Sequence, residues 1–285
     1  MVGPLGADVW GVDLESLTDG EFEDIYAAWL EHDGVLRLPG QFVPVEVMLD
    51  FAARFGVLDD APITSKGHAK SFRPDLPKLA VISNIVEDGK PLGSLGSLES
   101  AWHTDMSYND VPPKASILQG VELPRMGGAT GYANMYTVLD TLPSDLRASL
   151  EGLTCKHDAS RDSVGIVRRG FEEAYGDRSD VPGAVHPLVV KHPETGRDCL
   201  YLGRRALAHI PELSSQDSDQ LLDLLWAHAS QERFAWYQHW RQGDIVVWDN
   251  RCTMHRRDAL DPSERRLLYR AQIQGERPSA ADQAA

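Results

Sequence analysis

The chain has 285 residues, of which 42% are hydrophobic and 25% charged, enough to bury a sizeable core in one large globular domain spanning 1–285. Its formal net charge of -15 at pH 7 excludes binding of nucleic acid or an anionic membrane through a broad basic surface. An anionic small molecule would need a local pocket of arginines inside an acidic exterior.

The three cysteines, Cys155, Cys199 and Cys252, are odd in number and widely spaced, with no CxxC pair. This spacing favours reduced thiols over a disulfide framework or a zinc site. Residues 1–10 lack the basic and apolar regions of a signal peptide, and no run of 18 apolar residues occurs. We therefore expect a cytoplasmic protein.

The N-terminal part has the pattern helix, strand, helix. Thr18 and Glu21 have capping-box spacing at the start of an amphipathic helix over residues 18–30. A short apolar run at 35–38 predicts a strand. Pro44 then begins a second helix that ends at Gly56.

Further along, short apolar runs at 79–83 and 115–118 alternate with turns rich in glycine and proline, which indicates a mainly β fold. The polar stretch 158–183 is expected to be an exposed insertion or a lid. A helix over 218–228 precedes strands at 244–248 and 266–273, and the tail is expected to be disordered from about residue 278.

A candidate metal site lies at Trp102-His103-Thr104-Asp105. On an extended segment, residues i and i+2 project to one face about 6 to 7 Å apart, so His103 and Asp105 can converge on one ion. Two histidines and one carboxylate form the facial triad of non-haem Fe(II) enzymes. A second histidine is therefore required.

His255 is the preferred partner because it follows a buried-strand pattern that ends in a polar turn at 244–250. His32 and His228 accompany amphipathic helices, where a structural role is the simpler interpretation. His157 is followed by Asp158, but adjacent residues on a strand point to opposite faces.

Arg266 and Arg270 share a face of the last predicted strand, with Cα atoms about 13 Å apart. They lie either on a solvent-facing side of the strand or in a pocket where each guanidinium pairs with one anion. The residues alone leave both interpretations open.

With these residues in view, the chain resembles the TauD/TfdA family of Fe(II)/2-oxoglutarate dioxygenases over most of its length. The matching segments are Gly6-Ala7, 51–56 (FAARFG), 102–105 (WHTD), 124–130 (PRMGGAT), 192–196 (HPETG), 248–251 (WDNR), His255 and 266–270.

The resemblance implies a mainly β fold with flanking helices around a double-stranded β-helix, or jelly-roll, core. It implies hydroxylation of a small anionic carboxylate or sulfonate, coupled to conversion of 2-oxoglutarate and O2 to succinate and CO2. Relatives of this kind are commonly dimers or tetramers, so a homo-oligomer is expected.

The resemblance also assigns residues. It implies that His103, Asp105 and His255 bind Fe(II) and that Arg266 and Thr130 hold the far carboxylate of 2-oxoglutarate. Arg270 matches a position that contacts the anionic group of the prime substrate. The family often has aspartate where this chain has Ala129, which leaves the support of Thr130 open.

Substrate choice would depend on loops. Residues 85–100 contain three glycines and form either a closing loop or a flexible connector. Lys66, His68 and Asn84 occupy a region that contacts substrate in relatives, and Arg168 and Arg169 are further candidate anion contacts or solvated surface residues.

Two other classes of function compete with the dioxygenase. A homologue that has lost turnover would act as a small-molecule binding protein, although such a protein commonly loses one of His103, Asp105, His255 and Arg266. A zinc hydrolase built on the same three ligands would leave the matches at Arg266 and Thr130 unexplained.

Overall fold

The computed structural model describes residues 3–61, 73–168, 170–171 and 175–281. In this part of the chain, strands dominate and helices are few. The elements of the first half are β1 (Ala7–Asp8), α1 (Asp19–Glu31), β2 (Val35–Leu38), α2 (Val45–Ala53), β3 (Ala80–Ser83), β4 (Val86–Glu87), β5 (Lys90–Pro91), β6 (Ser94–Leu95), β7 (Ser100–His103), β8 (Ala115–Glu122), β9 (Thr130–Asn134) and α3 (Met135–Asp140).

The second half adds the remaining strands and two further α-helices, with short 3₁₀ helices at Arg178–Asp180 and Glu232–Phe234. Its elements are α4 (Ser144–Ser149), β10 (Thr154–Lys156), β11 (Val185–Pro187), β12 (Val189–Lys191), β13 (Asp198–Leu200), α5 (Ser215–Ala229), β14 (Ala235–Gln238), β15 (Ile245–Asp249), β16 (Thr253–Arg257), β17 (Leu267–Ile273) and β18 (Ser279–Ala280).

Two large sheets carry the fold. One has seven strands in the order β1-β2-β15-β8-β17-β3-β6, and the other has four in the order β14-β9-β16-β7. Their pairings are antiparallel except for β1 with β2 and β3 with β6. Apart from β1 and β2, the neighbouring strands of both sheets are non-consecutive in sequence, so the chain crosses repeatedly between the two sheets.

The alternation of side chains along β15 explains how the sheets pack. Ile245 and Val247 belong to a core cluster shared with α1 and α2, whereas Val246 and Trp248 belong to a second cluster that contains Tyr132 of β9. Because successive side chains of a strand point to opposite faces, β15 is buried on both sides. The seven-stranded sheet thus lies between the N-terminal helices and the four-stranded sheet.

The N-terminal helices form as predicted. The Thr18 side chain accepts a hydrogen bond from the Glu21 amide and Glu21 reaches back to Thr18, which completes the capping box. Two aromatic residues of α1, Phe22 and Trp29, then pack edge to face against Phe55, which follows α2. This packing covers the outer face of the seven-stranded sheet.

A third apolar cluster covers the outer face of the four-stranded sheet. Ala133 of β9 and Met254 of β16 pack there with Val138 and Leu139 of α3 and Leu222 of α5. The described helices contain none that is both long and apolar enough to cross a membrane. The three cysteines are free and buried.

The predicted exposed insertion at 158–183 is wrong for its first part, where Asp158, Ser160, Asp162 and Ser163 are buried. The Asp162 carboxylate accepts hydrogen bonds from the amides of Val164 and Ile166. Polar side chains that satisfy their own backbone can be buried at low cost, and this is why polarity alone misled the prediction.

The predicted disordered tail is wrong for residues 279–281. Ser279 and Ala280 pair with Lys191 and Val190 of β12, and the Ala281 amide donates to the Val189 carbonyl at 3.1 Å. Backbone pairing holds this segment although its side chains carry little apolar surface.

Gly34 connects α1 to β2 and gives a test of this packing. Its φ is +78°, and a Cβ there would lie 2.6 Å from Cβ of Asp249. We expect Gly34→Ala to lower the free energy of unfolding by about 2–4 kcal/mol, combining left-handed strain with overpacking. Chemical denaturation would measure this change.

Gly20→Ala is the matched control, because Gly20 lies in α1 with open space around it. That substitution should be neutral or stabilising by up to about 1 kcal/mol, since alanine favours helix more than glycine does. Equal effects of the two substitutions would contradict the packing described for Gly34.

Candidate metal centre and anion pocket

Backbone register brings the three predicted metal-binding residues together. His103 ends β7, Asp105 follows two residues later, and His255 lies in β16 directly opposite His103. The Nε2 atoms of both histidines lie 3.8 Å from Oδ1 of Asp105. All three side chains are buried and each offers one ligand atom to a common point.

The protonation states suit a metal. Burial lowers the pKa of His103 well below its usual value and that of His255 to about 4, so both imidazoles are neutral at pH 7. Burial opposes ionisation of Asp105, but the charge of Arg270 and the hydrogen bond from Ser116 hold the pKa of that carboxyl low. Neutral imidazoles and an ionised carboxylate are the forms that bind metal ions.

The tautomer of His103 is fixed by its neighbour. Nδ1 lies 2.8 Å from the carbonyl oxygen of Ala101, which can only accept a hydrogen bond. The proton is therefore on Nδ1, and the Nε2 lone pair is directed to the shared point with Asp105 and His255.

The Asp105 carboxylate is held by the seven-stranded sheet, although the two histidines belong to the other sheet. Its oxygens accept hydrogen bonds from Ser116 Oγ at 3.0 Å and Gln272 Nε2 at 3.2 Å, and Arg270 Nη1 lies at 3.3 Å. Asn250 donates in turn to Ser116 Oγ at 3.0 Å. Sequence reasoning missed Ser116 and Asn250, because only the folded arrangement brings them to Asp105.

The three residues open into a cavity that is unusually rich in arginine. Its lining residues come from both sheets and from the loops after β7, β10 and β13: Ile82, Ser94, Ser100, His103, Asp105, Met106, Tyr108, Leu118, Thr130, Asp162, Ser163, Arg168, Arg204, Trp248, His255, Arg257, Arg266 and Arg270. Sequence reasoning identified Arg168, Arg266 and Arg270 but missed Tyr108, Arg204 and Arg257. No short motif marks those three.

Arg266 is the most deeply buried of these cations, with 2% of its surface exposed. Its Nε and Nη1 atoms have no hydrogen-bond partner among the described residues. Burial, assisted by the nearby charge of Arg257, lowers the pKa of Arg266 to about 9, so the group remains a cation at pH 7. A buried cation with free donors is a site for an anion.

Asn84, predicted to contact substrate, instead positions Arg266. Its Oδ1 accepts from the Arg266 amide at 2.9 Å, and its Nδ2 donates to Ser97 Oγ and to the Glu264 carbonyl. The Asn84 side chain thus fixes the backbone just before β17. Lys66 and His68 lie outside the described residues, as does Arg169.

Thr130 lies in the cavity wall beside Arg266. Its Oγ1 accepts a hydrogen bond from Trp240 Nε1 at 2.9 Å, which supplies the support that Ala129 cannot give. Gly128 has φ +67°, and a Cβ there would lie 3.3 Å from Arg266 Nε. The glycine turn therefore brings the backbone close to the guanidinium.

Arg270 faces the cavity, as the period of the strand predicts, with 12% of its side chain exposed. It pairs with Asp105, and Nη2 also donates to Gln272 Oε1 at 3.3 Å. Its Nε has no partner among the described residues. The solvent-facing alternative for this strand is wrong.

A second cluster with metal-binding residue types consists of His192, Asp249 and Cys252. Both nitrogens of His192 are occupied, since Nε2 contacts Asp249 Oδ2 at 3.0 Å and Nδ1 accepts from the amides of Glu194 and Thr195. Arg251 also pairs with Asp249 at 2.6 Å. His192 and Asp249 belong to the motifs 192–196 and 248–251, which form a structural network in which both nitrogens of His192 are already used.

The other candidate histidines have different surroundings. His228 contacts the Val138 carbonyl at 3.1 Å on the side of α5. His157 packs among His186 and Tyr201, and burial lowers its pKa to about 3. Neither belongs to the cluster of His103, Asp105 and His255.

Comparison with known proteins agrees with this geometry. The family model described as "Taurine catabolism dioxygenase TauD, TfdA family" matches residues 1–272. A (S)-phenoxypropionate/alpha-ketoglutarate-dioxygenase of Sphingobium herbicidovorans is 35% identical over 276 residues, covering 95% of this chain and 92% of that protein. An alpha-ketoglutarate-dependent 2,4-dichlorophenoxyacetate dioxygenase of Cupriavidus pinatubonensis is 33% identical and covers 93% of each chain.

Among solved structures, AAD-2 in complex with Mn(II) and N-oxalylglycine superposes with a TM-score of 0.79 at 30% identity, covering 98% of each chain. The mainly β architecture with a few helices is therefore shared with this group. The chain belongs to the TauD/TfdA family and is a non-haem dioxygenase that requires Fe(II), 2-oxoglutarate and O2.

Proposed function

We propose that the protein hydroxylates a small anionic substrate, a carboxylate or a sulfonate, while 2-oxoglutarate and O2 are converted to succinate and CO2. The observation that carries this proposal is the buried guanidinium of Arg266, whose Nε and Nη1 have no partner among the described residues, in the same cavity as His103, Asp105 and His255. A metal site and an anion site in one cavity fit 2-oxoglutarate, a co-substrate that needs both.

His103, Asp105 and His255 are the proposed iron ligands. Two neutral imidazole nitrogens and one carboxylate oxygen suit Fe(II), and the cavity leaves one side of the group open to ligands. Bound Fe(II) supplies the activation of O2 that side chains cannot perform. The protein contributes the ligand atoms, fixes their protonation and shields them within a buried pocket.

Arg266 and Thr130 are the proposed site for the far carboxylate of 2-oxoglutarate. The guanidinium is almost fully buried, and a buried ion without a counterion costs several kcal/mol. A carboxylate removes that cost through charge-assisted hydrogen bonds. Thr130 Oγ1 already accepts from Trp240, so its own proton is available to the carboxylate.

Arg270 is the proposed contact for the anionic group of the prime substrate. Its bond to Asp105 is long, at 3.3 to 3.4 Å, and its Nε donor has no partner among the described residues. A cation bound by Asp105 would weaken the hold of that carboxylate on Arg270 and release its donors. The named relatives, which act on phenoxypropionate and 2,4-dichlorophenoxyacetate by their names, support an anionic substrate.

We infer that the two large sheets form a double-stranded β-helix within one domain, since they share the core cluster of Val246, Trp248, Tyr132 and Leu268. The segment around Asp162, Ser163 and Arg168, which lines the cavity, is the proposed lid.

Anaerobic addition of Fe(II) and 2-oxoglutarate should produce a weak absorption band in the visible range. The band arises from charge transfer when the keto acid binds the metal, so it reports binding without turnover. Its absence in well-folded protein would contradict the dioxygenase and favour a homologue that has lost this chemistry.

His255→Ala should reduce succinate release by at least about 100-fold, because loss of a ligand removes iron as well as geometry. Circular dichroism would verify the fold, and metal analysis would measure the bound iron. His228→Ala is the matched control, since His228 lies on α5 away from the cavity, and it should retain iron and turnover. Normal turnover by His255→Ala would refute the ligand assignment.

Arg266→Met should have opposite effects on stability and on binding. Removing an unpaired buried charge should raise the free energy of unfolding of ligand-free protein by about 1–3 kcal/mol. The dissociation constant of 2-oxoglutarate should rise by about 30-fold or more, since a buried charge pair is lost. Thermal melts and calorimetric titration would measure the two effects.

Arg251→Met provides the contrast, because Arg251 is mostly buried but paired with Asp249 and Glu194. That substitution leaves the buried carboxylate of Asp249 without its arginine partner and should lower stability by about 3–5 kcal/mol. If Arg266→Met were equally destabilising, Arg266 would be a structural residue and the proposed co-substrate site would be wrong.

A further inference from the structure

A second group of cations lies in the same cavity, away from β17. Arg168 belongs to the segment after β10, and Arg204 to the loop after β13. Both guanidinium groups contact the ring of Tyr108, with centroid distances of 4.3 Å for Arg168 and 4.9 Å for Arg204. We call Tyr108, Arg168 and Arg204 the tyrosine–arginine cluster.

The backbone at Gly203 allows this approach. A Cβ at Gly203 would lie 2.5 Å from Ser107 Oγ and 2.1 Å from His157 Nδ1, so only glycine fits there. The loop can thus lie directly against the segment that carries Tyr108. Two segments more than 90 residues apart in sequence are therefore fixed beside each other at the cavity wall.

Stacking on Tyr108 does not satisfy the two arginines. Arg168 donates to the Tyr108 hydroxyl and Arg204 Nη1 donates to the Arg161 carbonyl at 3.2 Å. The Nε atoms of both are sealed from solvent and have no acceptor among the described residues. Neither Arg168 nor Arg204 forms an ion pair with any residue that the structure describes. Two like charges side by side are costly without an anion.

The charge balance of the cavity favours more than one anionic group. Its lining contains two aspartates, Asp105 and Asp162, and five arginines: Arg168, Arg204, Arg257, Arg266 and Arg270. The charges of Fe(II) and of the 2-oxoglutarate dianion cancel. Five arginines against two aspartates leave a formal surplus of three positive charges, which favours a prime substrate with more than one acidic group.

We propose that the tyrosine–arginine cluster is a second anion subsite for the prime substrate, which is a short molecule with two acidic groups. The proposal rests on the function proposed above and narrows its substrate class to dicarboxylates or carboxylates that also carry a sulfonate. One acidic group pairs with Arg270 and the other with Arg168 and Arg204, so the carbon that reacts lies between them. The Tyr108 hydroxyl accepts from Arg168 and can donate its own proton to the same anion.

This class differs from the substrates in the names of the relatives, since phenoxypropionate and 2,4-dichlorophenoxyacetate each have one carboxylate. A single carboxylate would satisfy Arg270 and leave the tyrosine–arginine cluster without a counterion. The extra arginines therefore favour a substrate with one more acidic group.

Matched acids test the proposal. Adipate and hexanoate differ by one carboxylate, and 3-sulfopropanoate and propane-1-sulfonate differ in the same way. Each would be titrated by calorimetry into full-length protein in anaerobic buffer with Mn(II) and saturating 2-oxoglutarate. The member of each pair with two acidic groups should bind at least about tenfold more tightly, the effect of one charge-assisted contact.

Arg204→Met and Arg168→Met should reduce this preference toward one while leaving the dissociation constant of 2-oxoglutarate unchanged. Arg147→Met is the control for loss of a positive charge, since Arg147 is exposed on α4 and pairs with Asp140, and it should keep the preference. A conservative Arg204→Lys should retain part of it.

Equal binding of both members of each pair by the unmodified protein would overturn the proposal. So would a preference that survives in both Arg204→Met and Arg168→Met, or equal weakening of both members in those variants. Failure of the proposed function would be seen separately, as the absence of the visible band with Fe(II) and 2-oxoglutarate. The ratio of the dissociation constants of hexanoate and adipate would still report on the subsite.

Discussion

The pairing of β16 with β7 is the constraint on which the site depends. It sets His255 opposite His103, and β9 on the other side of β16 fixes the same strand by setting Tyr132 opposite His255. Because side chains alternate along a strand, a slip of one residue would turn His255 to the outer face of the sheet. The metal group therefore exists only in this register, which two neighbouring strands enforce.

The third ligand makes the site depend on both sheets. Asp105 comes two residues after β7, a strand of the four-stranded sheet. Its carboxylate is nevertheless bound by two residues of the seven-stranded sheet, Ser116 of β8 and Gln272 of β17. The core between the sheets, where the rings of Trp248 and His255 lie 4.9 Å apart, fixes the distance between them. The geometry of the metal ligands therefore depends on the packing between the sheets, because a change in sheet separation would move the carboxylate relative to the imidazoles.

Sequence reasoning succeeded where a signal repeats along one segment. The two-residue period placed His103 near Asp105 and turned Arg266 and Arg270 to one face, and the capping box at Thr18 marked the start of α1. It failed where the contact is between distant segments, as for Ser116 beside Asp105 or Arg204 beside Tyr108. It also failed at residues 158–163, because hydrogen bonds to their own backbone allow polar side chains to be buried. Composition cannot distinguish those residues from a solvated loop.

The distribution of charge explains why recognition must be local. The chain has a formal net charge of -15, so its overall field repels the anions that the cavity is built to bind. Attraction begins only where Arg168, Arg204, Arg266 and Arg270 are shielded from water and their donors are unsatisfied. Such contacts contribute through short-range, charge-assisted hydrogen bonds that depend on geometry, whereas long-range steering mainly raises association rates. If the prime substrate has two acidic groups, as proposed above, an anion with the wrong spacing of those groups would meet the repulsion and gain only part of the compensation. Spacing would then be the basis of selectivity.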